Sequence, residues 1–516
     1  MQGKKEFEPK LFVNFQLPDH IPDDNFYKVL KSKLDLRFIY RETKDVYSHT
    51  GKPSLDPVVF FKCLLIGYLE NICSDRALER AIQLRLDLLF FIDHDIGERP
   101  PDHSTICKTR KRIPAQVFEK VFNHILGLCI QSGMVQGNIQ SIDTAYINAN
   151  AALDKMIEVK MIDRDPTEYL QEVTSQDKPT DEERKIAEER LKKSQKTLER
   201  FTEYRKEKYS ELEGGKQHKK NKRRFMSNAT HSSKTDPDAR IAKKSGKPRM
   251  LCYSSLMGVD TQENVITHIS AEHASKKDSR LLLDATESTL DRLESFGLQV
   301  DTILADAGFS SGENYHILNH WGVNAFIPIH GGYKEKREGF NYDIENDLYT
   351  CKNGKTLYFS HYGKAGGYLK KRYFSSKKDC DNCQFRTGCV GKRGIKKIEH
   401  TIYKEEYEEM IARLKSDQGR ASYALRMQSV EPAFGTLQQH YGLRWINARG
   451  KDCANKIMLM AAAALNLKKW VKKELENTLL SLLNAILNPR AIFMALDNIN
   501  KNYKLDCCLK PQIVTA

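Results

Sequence analysis

An α/β fold is predicted for this 516-residue chain, and three observations predict it. Residues 51–130 repeat apolar positions at helical spacing. Between 139 and 330 a strand pattern, a hairpin, a helix and two further strand patterns follow one another, which makes an α/β layer. Helical periodicity then returns over 405–472. At roughly 100–200 residues per domain, the length has room for about three domains.

The first helical stretch is LDPVVFFKCLLIGYLENICSDRALERAI. Its apolar face is Val58, Phe61, Leu64, Leu65 and Tyr68, then Leu78 and Ile82. Ser74 is an N-cap with an acid directly behind it, and PPDHSTICKTRKRI supplies a second helix start at Pro101 and Asp102. That helix ends in Lys108, Arg110, Lys111 and Arg112. Short helices, tight turns and a basic end suit a helix-turn-helix-like DNA-binding module; a plain bundle with a solvated basic face fits equally. IQSIDTAYINANA, from 139, is β-rich and then polar. Residues 152–248 read as an insertion: 181–213 is a charged helix or weak coiled coil, and KQHKKNKRR (216–224) is the most basic run in the chain. Residues 251–270 form a hairpin turning at 260–264, 276–296 a helix stopped by Gly297, and VDTILADAGF and VNAFIPI two more strands. Residues 331–400 are a Gly-, Lys- and Cys-rich interruption, and no internal repeat is visible.

Composition narrows the function. Lys and Arg number 83 against 68 Asp and Glu, a formal charge of +15. With 40% hydrophobic and 29% charged residues, the chain is too polar for an integral membrane protein and too apolar for a disordered one. The longest apolar run, IMLMAAAAL (457–465), falls short of the roughly 18 residues a span needs. MQGKKEFEPK lacks the apolar stretch of a signal peptide, so an intracellular protein with reduced cysteines is expected. Excess positive charge favours a polyanionic partner, with nucleic acid first, because neutralised phosphates release counterions.

Three acids stand out. Asp143 lies in a β-pattern, Asp306 ends an apolar strand before Ala-Gly, and Glu431 lies in YALRMQSVEPAFGTLQQHYGLRW. Open α/β sheets place ligands at strand ends. Singly, each acid reads as a turn, cap or salt-bridge residue. Pro432 either begins a helix capped by Glu431 or kinks one, and on a continuous helix Glu431 shares a face with Gln438. Two carboxylates about 4 Å apart repel by roughly 4 kcal/mol at an effective dielectric of about 20. A converging set therefore calls for cations, and hard oxygen ligands select Mg²⁺ or Mn²⁺. A second set is Cys351, Cys380, Cys383 and Cys389; structural Zn²⁺ and unliganded thiols are both open readings. No P-loop and no H-E-x-x-H occurs. His268 and His273 read as a surface β-edge. Trp321 and Trp445 are expected in the core rather than stacked on a base.

Taken in order, these motifs resemble the bacterial insertion-sequence transposases of the DDE type, over most of residues 50–470. The carriers are GKPSLDPVVFFKCLLIGYL with PDHSTICKTRKR, IDTAYINANA, SKTDPDAR (233–240), ADAGFSSGENY, and YALRMQSVEPAFGTLQQHYGLRWINARG with its Tyr-Arg-Glu-Lys arrangement. The resemblance implies an RNase H-like core, a mixed five-stranded sheet with flanking helices, behind a helical N-terminal DNA-binding domain. The expected division is 1–130 for that domain, 131–151 with 249–330 and 401–470 for the catalytic core, 152–248 and 331–400 for insertions, and 471–516 for a tail. It further implies Asp143, Asp306 and Glu431 as Mg²⁺ or Mn²⁺ ligands, and Tyr423 and Arg426 on DNA phosphates. Double-stranded DNA (terminal inverted repeats and target) is the implied partner, in a paired-end homodimer within the bacterial cytoplasm at the nucleoid. Two departures stand: Gln438 occupies the Lys position without its charge, and Arg426 lies one residue further from the acid than usual. The alternatives are a non-cutting DNA-binding relative, an RNase H-fold nuclease without strand transfer, and a basic zinc-containing RNA-binding protein.

Overall fold

The computed structural model describes residues 15–47, 50–51, 54–158, 226–228, 231–244, 246, 248–330, 333, 337–365, 368–390 and 394–487. The charged stretch 181–213, the basic run 216–224 and the Cys507-Cys508 pair lie outside them.

Sheet order follows from which strands are apolar on both faces. β5 (Met250–Asp260) is buried along almost its whole length, as a central strand covered on two sides must be. β1 (Ile139–Asn148) pairs antiparallel with it on one side, while β2 (Met156–Glu158) and β3 (His231–Ser233) form a separate two-stranded sheet. On the other side of β5 lie β4 (Arg240–Ala242) and β6 (Ile266–His273), both antiparallel. β7 (Thr302–Ala305) joins β1 in parallel, and β8 (Asn324–Phe326) joins β7 in parallel. This mixed sheet has the form of an RNase H-like core, with the short β4 as a sixth strand beyond the expected five. The hairpin and the two parallel strands stand where the sequence put them; the helix expected over 276–296 begins at Leu282, after a turn at Asp278–Arg280, and Gly297 follows its end at φ +76.

The helix Lys451–Leu487 explains the apolar run at 457–465. Residues Ala461 to Ala464 are wholly inaccessible. A helix apolar all round is a buried helix, and this one lies between the sheet and the N-terminal helices. No helix among the described residues is long and apolar enough to cross a membrane. The buried helix also closes the open edge of β6. Asn466 accepts from the Ile266 N–H at 2.9 Å and donates to its carbonyl at 2.8 Å, while Asn455 accepts from the Ala271 N–H at 2.9 Å. The SKTDPDAR segment anchors the start of this helix. Asp236 accepts from Tyr253 Oη and the Gly450 N–H, and Asp238 accepts from the Lys451 N–H.

The N-terminal helices share that core. Helix Ala115–Gln131 buries Val121, Phe122, Ile125 and Leu126 in the same cluster as Ile457 and Leu467. The interruption at 331–400 contains a second, antiparallel five-stranded sheet, β9 (Phe340–Asp343) to β13 (Lys397–Thr401) through β10 (Leu348–Cys351), β11 (Thr356–Ala365) and β12 (Tyr368–Ser375). Its small core is Tyr349, Leu357, Tyr373 and Ile398.

Candidate active site

The parallel register sets Ile142 opposite Ala305, so the next residues, Asp143 and Asp306, stand on neighbouring strands. Such strands lie about 4.8 Å apart. The Asp143 side chain is only 18% exposed. Its Oδ1 accepts from the Thr144 N–H at 2.7 Å and its Oδ2 from Arg426 Nη1 at 3.3 Å. Burial is the main cause that pushes its carboxyl up to about 6, reinforced by the Asp306 charge and opposed by Thr144, Arg426 and Lys244. Asp306 follows β7 directly and caps the turn Ala307–Phe309 by accepting from the Gly308 N–H at 2.8 Å.

Glu431 arrives on the helix Asp417–His440, which runs unbroken through Pro432. Proline deprives the carbonyl four residues back of its partner. Here Asn264 Nδ2 donates to that carbonyl of Gln428 at 3.3 Å, so the helix continues. Glu431 is half-exposed, and Arg426 Nη2 donates to its Oε1 at 3.0 Å. One buried guanidinium thus bridges Asp143 and Glu431. Arg426, carried over from the resemblance as a phosphate contact, lies here on the carboxylates, while Tyr423 on the same helix is exposed. Gln438 is partly buried two turns beyond Glu431.

Sequence reasoning missed two neighbours. Asp278, just before the Leu282–Glu294 helix, accepts from Thr144 Oγ1 at 2.9 Å. A Cβ built on Gly308 would lie 3.0 Å from an oxygen of Asp278 and 3.0 Å from one of Asp306, so the two carboxylates flank a space only glycine leaves open. Burial, then the Asp306 charge, raises the Asp278 carboxyl above its ordinary value. Lys244 supplies positive potential to Asp143 and Asp278. Its nearest sequence signal was the adjacent SKTDPDAR segment. No three of the oxygens of Asp143, Asp278, Asp306 and Glu431 lie within 4.8 Å of one another; the acids gather around Arg426 and Gly308, and as hard oxygen donors they suit a divalent cation of the Mg²⁺ or Mn²⁺ kind.

Other expected sites fare differently. On the helix His103–Arg112, Lys108, Lys111 and Arg112 are exposed, and Arg112 lies over the Tyr47 ring. Arg110 is a correction: it is 3% exposed and its fork donates to both oxygens of Asp75, at 3.0 and 2.7 Å. Its position, four after buried Ile106, puts it on the inner face. Among Cys351, Cys380, Cys383 and Cys389, no three sulfurs lie within 4.8 Å of one another, and Cys380 Sγ instead contacts Ser375 Oγ at 3.1 Å. Among the described residues Glu79, Asp102 and His103 do bring three ligand atoms that close, with His103 Nε2 facing Arg76 Nε at 3.3 Å. Trp321 and Trp445 are corrections too, 39% and 55% exposed, the first at a helix C-cap and the second bridged to Asn148, rather than in the core. His268, expected on a surface edge, is buried against Arg292.

Comparison with known families bears on this geometry. Residues 15–112 match the model of a transposase domain (DUF772), and residues 350–471 match that of a transposase DDE domain. The second match contains Glu431; Asp143 and Asp306 precede it. No curated protein matches the chain.

Proposed function

We propose that this chain, whose residues 15–112 and 350–471 match a transposase domain and a transposase DDE domain, is an insertion-sequence transposase that cleaves and joins DNA strands at the terminal inverted repeats of its element. The observation that supports the reading is the placement of Asp143 on β1 beside the end of β7, where Asp306 follows, with Glu431 of the Asp417–His440 helix joined to Asp143 through Arg426. Asp143, Asp306 and Glu431 would hold Mg²⁺ or Mn²⁺. A bound cation pair would supply Lewis acidity to the attacking and leaving oxygens of phosphoryl transfer.

The chain's own residues do the rest. Arg426 holds Asp143 and Glu431 in a common orientation and limits their mutual repulsion. Tyr423, exposed one turn before Arg426, offers a hydroxyl to a DNA phosphate. Lys244 offers a second charge on the Asp143 side. Lys108, Lys111 and Arg112 give the N-terminal helices an exposed basic face for the DNA backbone. Two DNA ends must be held together, so a homodimer is part of the proposal, as is the division of the chain into a DNA-binding module and a catalytic core.

Gln438 favours a second reading, a relative that binds DNA without cutting, because the amide brings no fixed charge to the terminal phosphate. One experiment separates the two. A duplex carrying the DNA that flanks the reading frame is incubated with the protein and Mg²⁺ or Mn²⁺, beside Asp306→Asn, and cuts are mapped to the nucleotide. The transposase reading expects metal-dependent cuts at the ends of an inverted repeat, absent in the variant. Specific binding without cuts supports the second reading, and cuts unchanged in Asp306→Asn refute the assigned site. Among cutting enzymes, nicked but never joined products would indicate a nuclease without strand transfer.

A further inference from the structure

We propose that Asp278 is a fourth carboxylate of the metal centre, sharing a cation with Asp306 in the space above Gly308. The inference rests on the transposase reading and names a residue outside its three acids. Three observations carry it. Asp278 is fixed by a neighbouring residue of the catalytic strand: the Thr144 hydroxyl, next to Asp143, donates to its Oδ1 at 2.9 Å. Its other oxygen and an oxygen of Asp306 each lie 3.0 Å from the point a Gly308 Cβ would occupy, so both border one gap. Neither carboxylate has a salt bridge among the described residues, whereas Asp143 and Glu431 share Arg426.

These facts divide the site in two. On the Glu431 side, arginine compensates the acids. On the Gly308 side, two acids face each other across a glycine, with Lys244 acting only at a distance. Close carboxylates are stable when a cation lies between them. Asp278 lies three residues before Leu281, the N-cap of helix Leu282–Glu294, and the hydrogen bond it accepts comes from Thr144 of β1. A side chain at position 308 would fill the gap, which gives glycine there a reason beyond its turn.

Mn²⁺ binding to the purified full chain tests this, with free Mn²⁺ read by electron paramagnetic resonance. Eu³⁺ luminescence lifetimes in H₂O and D₂O then count the waters on a bound ion. The variants are Asp278→Asn, Thr144→Val and Asp306→Asn, each checked for native circular dichroism. Asp278→Asn is expected to weaken Mn²⁺ by about tenfold or more and to add a coordinated water. Thr144→Val, which keeps every carboxylate and removes only the aiming bond, is expected to weaken it by about tenfold. Should Asp278→Asn fail to fold, Thr144→Val carries the test alone. Wild-type affinity and hydration in both variants, with Asp306→Asn impaired, would overturn the role of Asp278 and leave the transposase reading intact. Weaker binding with an unchanged water count would reduce Asp278 to a background charge and overturn ligation. No saturable Mn²⁺ binding by the wild-type chain would refute the metal centre itself, and this proposal with it.

Discussion

His268 shows how far one side chain's chemistry is set by its neighbours. Arg292 Nη1 lies 3.2 Å from its Nδ1, and arginine can only donate, so that nitrogen must accept. The ring is therefore the neutral tautomer with its proton on Nε2, facing Ser270 Oγ at 3.2 Å. Burial, then the Arg292 charge, holds its pKa down at about 3. The unfolded chain binds this proton below about pH 6.5 and the folded chain does not, so stability is full above that pH and lost as pH falls towards 3. The expected loss is about 1.4 kcal/mol per pH unit. Urea unfolding at about pH 7.5 and about pH 5.5 should show it, and His268→Gln should flatten that part of the slope. Arg110 teaches a related lesson. Its helical phase, shared with Ile106 and Ile113, was legible in the sequence, yet the basic run around it pointed outward. Arg110→Met leaves Asp75 without its partner and is expected to destabilise the fold by about 3 kcal/mol. Reduced DNA affinity at unchanged stability would return Arg110 to the DNA surface. Asp278 was illegible for another reason: an acid in HASKKDSR reads as an ordinary turn until Thr144, far back in the chain, is seen beside it.

At the scale of elements, legibility followed burial on two faces. The apolar strands β1, β5 and β7 announced themselves, and with them the places of Asp143 and Asp306. The second sheet did not. Its short strands β9 and β10 and its lysine-rich β12 leave most side chains partly exposed, so no apolar alternation marks them. Of the two readings of Pro432, a helix starting there did not appear: the helix runs on through it, and Asn264 of the β5–β6 turn serves the carbonyl that the proline leaves without a partner. The pairing of β6 with its covering helix is a long-range device of the same kind. Asn466 serves one N–H and one carbonyl of Ile266 as a further strand would. Asn466→Leu keeps the volume and strands both groups, at roughly 1–3 kcal/mol each. The measured loss should exceed about 2 kcal/mol and be accompanied by faster amide exchange at Ile266. A loss no larger than that of an exposed substitution would mean the edge finds another partner.

For the whole molecule, the consequence is that the N-terminal helices and the six-stranded sheet share one hydrophobic core. The division expected at residue 130 is the one the family resemblance implies, and the hydrophobic core runs across that position. Leu30, Phe61, Phe122 and Ile125 share one buried cluster with Leu256, Met257 and Val259 of β5, and the helix Lys451–Leu487 contributes to the same cluster. Polar contacts cross the boundary as well: Lys456 Nζ donates to the Arg110 carbonyl at 3.3 Å, and Lys33 pairs with Glu474 at 3.3 Å. The physical expectation is one cooperative unit. Each large apolar side chain left bare would forfeit about 1.5–3 kcal/mol, and an isolated N-terminal module would bare the whole face of helix Ala115–Gln131 that meets the buried helix. A fragment of residues 1–135 should therefore lack a cooperative melting transition, and the full chain should show the N-terminal helices and the sheet unfolding together in calorimetry. A separate early transition, with the fragment retaining its helical signal and melting sharply, would instead establish the module as a domain that folds alone. The distinction bears on the proposed function: in a single unit the basic face at Lys108 and Lys111 is held at a fixed distance from Asp143, so the spacing between the proposed DNA contact and the proposed cutting site would be set by the fold.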